Sequence, residues 1–420
     1  MKKESSNIIN LGCRLNIFEG EVIKSHIKNN KFKNYIIINS CAVTEEAEKK
    51  VNYEIRKSKR NFPNKKIVVT GCAAQINPEK YMNLVEVDYV IGNKEKLLST
   101  TWTNLEKNES TQVKDIFNEN NISNNIIQKF EGKSRAYVEI QQGCDHRCTF
   151  CIIPFGRGNN RSVPVGVISE RIKTLVANGY NEVVLTGVDI TDYGKDLPGN
   201  PNLFQLVKRI LNLIPELKQL RLSSLDCAEI TNDFWPLLED RRLMPHFHLS
   251  LQSGNDLILK RMKRRHNHKH VINFCKKVRL IRKDVVFGAD IIAGFPTETE
   301  KMFQDTIKII KDCNLTHLHI FPYSVRKNTP AALMPQVPKN IIKKRASILR
   351  DIGNEQMQKY LKSQIGNSAM MLVEQVKENF TYGKSQHFTK IKIKKNIKEG
   401  KIVKCMITNV SQDVLCGYAV

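Results

Sequence analysis

No apolar run in this 420-residue chain approaches the roughly 20 residues that a bilayer-spanning helix needs. The opening MKKESSNIINLGC also lacks the apolar core of an export signal, so the protein is expected in the cytoplasm, with no membrane partner. Acidic residues are few: 42 Asp and Glu face 67 Lys and Arg, a formal charge of +25. That imbalance favours a polyanionic partner, nucleic acid being the commonest, although Lys, Ile and Asn are abundant everywhere, as compositional drift alone would make them. The 11 cysteines are an odd number in a chain without an export signal, which argues against a disulfide framework and for metal ligation or ordinary burial.

Length allows two or three domains. Over residues 1–104, apolar runs such as Tyr35-Ile36-Ile37-Ile38-Asn39 and Lys66-Ile67-Val68-Val69-Thr70 alternate with polar stretches. Thr44 to Arg60 is charged, lacks Gly and Pro, and reads as a helix. The segment is expected to be a small parallel α/β domain. Residues 105–134, rich in Asn, Ser and Lys, read as a linker. Strand and helix patterns alternate again over 135–355, with strands at Ala136 to Gln141, Glu182 to Thr186, Gln219 to Ser223, His246 to Leu251, Val285 to Ile292 and His317 to Pro322. Six such units form an open relative of the eight-fold β/α barrel, with its active site at the C-terminal strand ends. Residues 356–420 carry short alternating strands at Met370 to Gln375, Thr389 to Ile393 and Ile402 to Ile407, a small β-domain.

The sharpest local signal is Gly143-Cys144-Asp145-His146-Arg147-Cys148-Thr149-Phe150-Cys151. Thiolates spaced C-x3-C-x2-C can hold three corners of a [4Fe–4S] cubane and leave the fourth iron without a protein ligand. An open iron suggests chemistry rather than electron storage. Zinc is the competing reading, but it normally takes four ligands, and no second C-x2-C pair exists in this chain.

A second set is Cys13, Cys41 and Cys72, each in a turn after a strand. Singly, each reads as a small buried hydrophobe. Together, at one end of a parallel sheet, they could hold a second three-cysteine cluster. The remaining cysteines, Cys227, Cys275, Cys313, Cys405 and Cys416, fit no ligand spacing. The basic run Lys260 to His268 reads as a metal or catalytic histidine cluster, as a helix lining an RNA groove, or as a solvated face. Arg157 and Arg161 could approach substrate phosphate or pair with carboxylates inside the barrel.

Cys144-x3-Cys148-x-Phe150-Cys151 with a β/α repeat behind it resembles the radical S-adenosylmethionine superfamily. The turns Gly12-Cys13-Arg14-Leu15-Asn16, Asn39-Ser40-Cys41-Ala42-Val43-Thr44 and Thr70-Gly71-Cys72-Ala73-Ala74-Gln75 resemble the N-terminal domain of its methylthiotransferase family. So do Cys151-Ile152-Ile153-Pro154-Phe155-Gly156-Arg157-Gly158, Leu185-Thr186-Gly187-Val188-Asp189, His248-Leu249-Ser250-Leu251-Gln252-Ser253-Gly254 and Gly288 to Pro296. The match is nearest the threonylcarbamoyladenosine branch. Members often carry Asn where this chain has Asp189.

The resemblance implies two [4Fe–4S] clusters, on Cys144, Cys148 and Cys151 and on Cys13, Cys41 and Cys72, with S-adenosylmethionine chelated at the first. It implies cofactor contacts at Phe150, Thr186, Gly187, Ser223, Gln252, Ser253, Asp290 and Gly294. It further implies a deoxyadenosyl radical acting on C2 of threonylcarbamoyladenosine 37 of tRNA, sulfur insertion there, and methylation by a second S-adenosylmethionine. An electron donor such as flavodoxin or ferredoxin and a sulfur source are then required. The small β-domain would be TRAM-like, and RNA contacts are expected at Arg157, Arg161, Lys263, Arg264 and Lys390, with Lys384, Lys392 and Lys394 as readily a solvated face. Isopentenyladenosine tRNA, a ribosomal-protein aspartate, or a non-catalytic iron–sulfur RNA-binding or redox sensor are the alternatives.

Overall fold

The structure is a computed structural model that describes residues 7–27, 30–120, 122 and 125–420; residues 1–6, used in the export-signal reading, lie outside these. The N-terminal unit is β1 (Ile8–Asn10), α1 (Arg14–His26), β2 (Tyr35–Ser40), α2 (Glu45–Asn61), β3 (Lys66–Gly71), α3 (Cys72–Ile76), α4 (Pro78–Met82), β4 (Tyr89–Ile91), α5 (Ser99–Thr103) and β5 (Thr111–Gln112). Its five strands pair in sequence order, all parallel. Every residue of β2 is buried, because helices cover both faces of the sheet. Ile36 and Ile38 pack with Val51 and Ile55 of α2, while Ile37 packs with Ile23 of α1 and Trp102. The expected helix starts where its chemistry says it should: Thr44 Oγ1 accepts from Ala47 N at 3.1 Å, Glu45, Glu46 and Glu48 fill the first turn, and Lys59 and Arg60 the last.

The stretch expected as a linker is in part structural. β5 adds the edge strand of the sheet, and Ile116, Ile127 and Phe130 are buried, with the Tyr180 hydroxyl bridging Phe130 N and O at 2.7 and 3.0 Å. Two-residue strands and isolated apolar anchors carry no periodicity, which is why the composition read as linker.

The central unit runs β6 (Ala136–Glu139), β7 (Gln141–Gln142), α6 (Ile153–Arg157), β8 (Arg161–Ser162), α7 (Val165–Ala177), β9 (Glu182–Thr186), α8 (Leu203–Leu213), β10 (Gln219–Leu222), α9 (Phe234–Leu237), β11 (His246–Gln252), α10 (Asp256–Arg261), α11 (His268–Ile281), β12 (Val286–Ala293), α12 (Glu300–Asp312) and β13 (Leu315–Pro322). Parallel sheets β6-β9-β10 and β11-β12-β13 are joined by bridges at Leu220–Leu243 and Leu225–Leu249, giving a partial (β/α)6 barrel. Val183, Leu185, Leu220, Leu222, Phe247, Leu249, Phe287 and Ala289 share one core with the outer helices. The alternate residues of each strand therefore point into the barrel.

Helix α13 (Lys339–Ser363) runs unbroken across the boundary expected at 355 and leads into β14 (Ser368–Lys377), β15 (Phe380–Ser385), β16 (Lys390–Ile393), β17 (Ile402–Ser411) and β18 (Val414–Ala419), which close a small barrel in the order β14-β15-β16-β18-β17. The β15–β16 turn reaches back into the central unit. Phe388, at a left-handed φ of 65°, stacks on His246 at 5.7 Å, beside the first residues of the barrel strands. No helix among the described residues is long and apolar enough to cross a membrane.

Candidate active site

Adjacent parallel strands bring Cys13, Cys41 and Cys72 to one end of the N-terminal sheet: Cys13 precedes α1, Cys41 follows β2 and Cys72 opens α3. Two glycines permit the approach. Gly12 has φ 96°, and a Cβ there would stand 2.6 Å from the Cys41 Cβ and 2.7 Å from its Sγ. Gly71, also at φ 96°, precedes Cys72 and leaves room for the Ser40 backbone. Asn16 ties the turns by donating to Leu11 O at 2.5 Å and Ser40 O at 3.0 Å. Burial, with neighbouring Cys72 adding to it, pushes the Cys41 thiol up to about 12, so a bound cation is needed to hold its thiolate at neutral pH.

Beside these thiols lie two buried cations. Lys96, wholly buried, donates to Glu19 Oε2 at 2.7 Å, Asn93 Oδ1 at 2.6 Å and Asn39 Oδ1 at 3.2 Å. Arg157, 2% exposed, donates from Nε to Cys72 Sγ at 3.1 Å, from Nη2 to Asn16 Oδ1 at 2.6 Å, and from both Nη atoms to Glu19. Two cations face one firmly ionised carboxylate; burial and Glu19 push the nearby Glu139 up to about 7. Cationic charge with so little water is stable only beside an anion, and iron held by three thiolates supplies one.

The Cys144–Cys151 loop follows β7. Cys144 N donates to Gly158 O at 3.1 Å and Cys151 N to Cys148 O at 3.0 Å. Thr149 anchors it to the 261–262 backbone, N to Met262 O at 3.2 Å and Oγ1 to Arg261 O at 2.8 Å. Arg264 sits 3.6 Å from Cys148 Sγ while holding Asp226 Oδ2 and Ser250 O at 2.9 Å each. His146 faces Asp189 at 3.1 Å. Burial opposes its positive charge, but the neighbouring Asp189 and Glu229 carboxylates outweigh that and raise its pKa to about 10. The carboxylate found here in place of Asn thus keeps a cation next to the loop.

Among the described residues, neither set brings its three sulfurs within 4.8 Å of one another. A single tetrahedral zinc, with Zn–S bonds of about 2.3 Å, would need them that close, whereas a cubane spreads its ligands further. The two sets are also joined. From Cys151 the chain enters α6, which packs on α3; Gly156 O accepts from Asn93 Nδ2 at 2.5 Å, and Arg157 then reaches Cys72.

Residues 138–310 match the Radical SAM superfamily and residues 5–92 the Uncharacterized protein family UPF0004. The chain is 50% identical over 406 residues to the threonylcarbamoyladenosine tRNA methylthiotransferase MtaB of Rickettsia prowazekii, covering 96% of this chain and 95% of that one. This chain belongs to the radical S-adenosylmethionine methylthiotransferases. The enzyme of the same name from Aquifex aeolicus is 35% identical, with 94% and 98% covered. In fold, the chain is similar to the radical S-adenosylmethionine methyltransferase TsrM of Kitasatospora setae, with a TM-score of 0.54 at 12% identity over 74% of this chain and 73% of that one. As a methylthiotransferase it is a transferase whose family uses S-adenosylmethionine and two [4Fe–4S] clusters, and the two donor sets fit such clusters.

Several expected contacts of this methylthiotransferase fall elsewhere. Arg157 and Arg161 are 2% and 7% exposed, so neither is an RNA contact; Arg161 donates to Glu119 O and Arg157 O at 2.9 Å each. Neither matches the pairing with barrel carboxylates: Arg157 takes the Glu19 carboxylate on α1, and Arg161 these backbone carbonyls. Arg264 likewise serves Asp226 and Cys148. The run Lys260 to His268 is no continuous helix: it breaks at Lys263, with φ 59°, and His266 turns inward to Asp226 Oδ1 at 3.3 Å. Lys263 and Lys390 remain exposed.

Thr186 ends β9, Ser223 follows β10 and Gln252 ends β11 past a register shift; Ser223 Oγ donates to Leu185 O at 2.9 Å. Gly187 packs on Gln141, whose Oε1 accepts from Val188 N and Asp189 N at 2.9 Å each. Phe150 meets Phe295 edge-on at 6.4 Å. Gly294 N donates to Glu298 Oε2 at 3.0 Å. Ser253 is wholly buried against Thr306, its hydroxyl 3.4 Å from Oγ1, and is no cofactor contact.

Asp290 lies deeper, with Oδ1 held by His248 Nε2 at 2.9 Å and His319 Nδ1 at 3.1 Å. Those histidines, with His246 and His317, form a polar row that sequence reasoning missed. Its only signal was the spacing His246-x-His248 and His317-x-His319 on two predicted strands.

Proposed function

We propose that this chain installs sulfur at C2 of N6-threonylcarbamoyladenosine 37 of tRNA and methylates it, in the cytoplasm. The observation that carries the reading is Arg157, which leaves the Cys144–Cys151 loop and ends on Cys72 Sγ at 3.1 Å, so that the two donor sets are built as one site. Cys144, Cys148 and Cys151 would hold one cluster and Cys13, Cys41 and Cys72 the other; when bound, they supply reductive cleavage of S-adenosylmethionine and a place for sulfur.

The rest of the work falls to the protein. Arg264 and the 261–262 backbone fix the loop, Gln141 orients the amides of Val188 and Asp189 at a strand end, and Arg157 with Lys96 offsets negative charge at the N-terminal thiols. The curated relatives described above are named for threonylcarbamoyladenosine tRNA. A charge of +25 suits a polyanion, and an anticodon-loop base can be splayed out of its stack into a barrel mouth. Lys263 and Lys390 are the exposed candidates for phosphate contact. A flavodoxin- or ferredoxin-type donor and a sulfur source complete the partners.

Nucleoside mass spectrometry of tRNA from a strain lacking this chain tests the reading. It predicts loss of the 2-methylthio derivative, accumulation of threonylcarbamoyladenosine, and restoration by the wild-type gene. An unchanged 2-methylthio peak refutes it, whether or not the isopentenyladenosine derivative or a ribosomal-protein aspartate loses its methylthio group instead.

A further inference from the structure

Around the Phe388 ring, on the floor of the barrel, stand four cations: Arg14, Arg135, Arg221 and Lys384, at 5.5, 5.2, 5.1 and 3.5 Å from its centroid. Their carboxylates are fewer. Glu182 takes Arg135 at 2.5 Å and Arg221 at 2.8 Å, and Glu374 takes Arg135 as well. Asp290 is engaged by His248 and His319. Arg14 and Lys384 make no hydrogen bond or ion pair among the described residues. Burial lowers the pKa of Lys384 to about 8, the cost of a charge drawn from water with no ion pair to hold it.

Arg14 also has a telling address. It follows Cys13 in the chain and reaches the barrel floor, its guanidinium 5.5 Å from the Phe388 centroid. A cavity of about 330 Å³ is lined by His317, His319, Lys384, Phe388 and Lys390 among others, and shares Lys384 and the Phe388 ring with this cluster. A threonylcarbamoyl group hangs from N6 of adenine, on the edge that also bears N1 and C2, and ends in a free carboxylate. A guanidinium presents the planar fork that matches a carboxylate.

We propose that Arg14, supported by Lys384, binds the free carboxylate of the threonyl group and so selects the substrate; this rests on the threonylcarbamoyladenosine reading above. A loop phosphate is the other possible anion. Binding of three anticodon stem-loops by the anaerobically reconstituted enzyme separates them: one with adenosine 37, one with threonylcarbamoyladenosine, and one with its carboxylate converted to carboxamide. Wild type should bind the carboxylate RNA about 30-fold or more tighter than the carboxamide, the smaller end of what removing one partner of a buried charge pair costs. Arg14→Gln should erase that ratio, and Arg14→Lys should restore part of it. Should Arg14→Gln lose iron, Lys384→Met, in another domain, should still shrink the ratio.

Equal affinity of wild type for carboxylate and carboxamide overturns the inference. So does a ratio unchanged in Arg14→Gln with its iron intact, and so does uniform weakening of all three RNAs, which would mark a phosphate contact. Nucleoside analysis of the same reactions keeps the two proposals apart. Methylthiolation of both modified RNAs with equal efficiency defeats the carboxylate reader alone, whereas no methylthiolated product from the threonylcarbamoyl RNA defeats the substrate reading itself.

Discussion

Replacing Arg157 by Met should cost the protein both stability and one cluster. The side chain donates to Cys72, Asn16, Gln142 and Glu19, and Glu19 is wholly buried. Without it, Glu19 keeps Lys96 at 2.7 Å and Gln142 Nε2 at 3.1 Å. Breaking a buried ion pair by removing one partner costs about 3–5 kcal/mol, and the surviving lysine puts this case at about 3. Scaled by about 2–4 °C per kcal/mol, the metal-free protein should melt about 6–12 °C lower. Arg157→Lys keeps the charge without the fork and should fall between. Iron analysis of reconstituted protein should show roughly half the wild-type content, because the lost donor is the one on Cys72 while the Cys144–Cys151 loop keeps its other anchors. Unchanged melting of the metal-free protein with full iron would refute the claim that Arg157 holds the N-terminal site together.

Other outcomes follow from the same geometry. Gly12→Ala should drop iron to about half while S-adenosylmethionine cleavage persists, because the new methyl meets Cys41 at 2.6–2.7 Å; full iron would contradict it. Asp226, 2% exposed between His266, Arg264 and Arg265, is held well below the usual carboxylate range by His266 and then Arg264. Its stabilisation is therefore complete above its unfolded value near 3.8 and is lost as pH falls below that. Urea midpoints of metal-free wild type and Asp226→Asn should converge on acidification, and a constant gap would contradict the assignment. Lys263→Ala and Lys390→Ala should each weaken tRNA binding regardless of sequence and reduce the salt slope by about 1; an unaltered slope excludes that lysine from the interface.

What the sequence made legible was set by residue type and period. Thiols at strand ends, apolar runs such as Tyr35 to Asn39, and the six strand patterns needed no tertiary knowledge, because ligand chemistry and pleat alternation are local. Arg157 shows where that ends: an arginine beside a cluster loop looks the same whether it meets phosphate or a buried Glu19 contributed 138 residues away. Ser253 belonged to a persuasive strand-end word, yet its hydroxyl faces Thr306 on a later helix. The alternation that places His248, Asp290 and His319 on one face was visible, but their convergence depends on which strands become neighbours. Phe388 lay in a lysine-rich segment and gave no sign that its ring would close the barrel floor.

The central claim is that the two cysteine sets divide the work of one reaction. Its most direct test is an anaerobic incubation with reductant, S-adenosylmethionine and threonylcarbamoyladenosine stem-loop, comparing wild type with Cys13→Ala/Cys41→Ala/Cys72→Ala and reading both products by mass spectrometry. The triple variant should still release 5′-deoxyadenosine and leave the base unthiolated. Methylthiolated base from that variant would contradict the division, as would loss of 5′-deoxyadenosine while the other cluster remains intact by electron paramagnetic resonance.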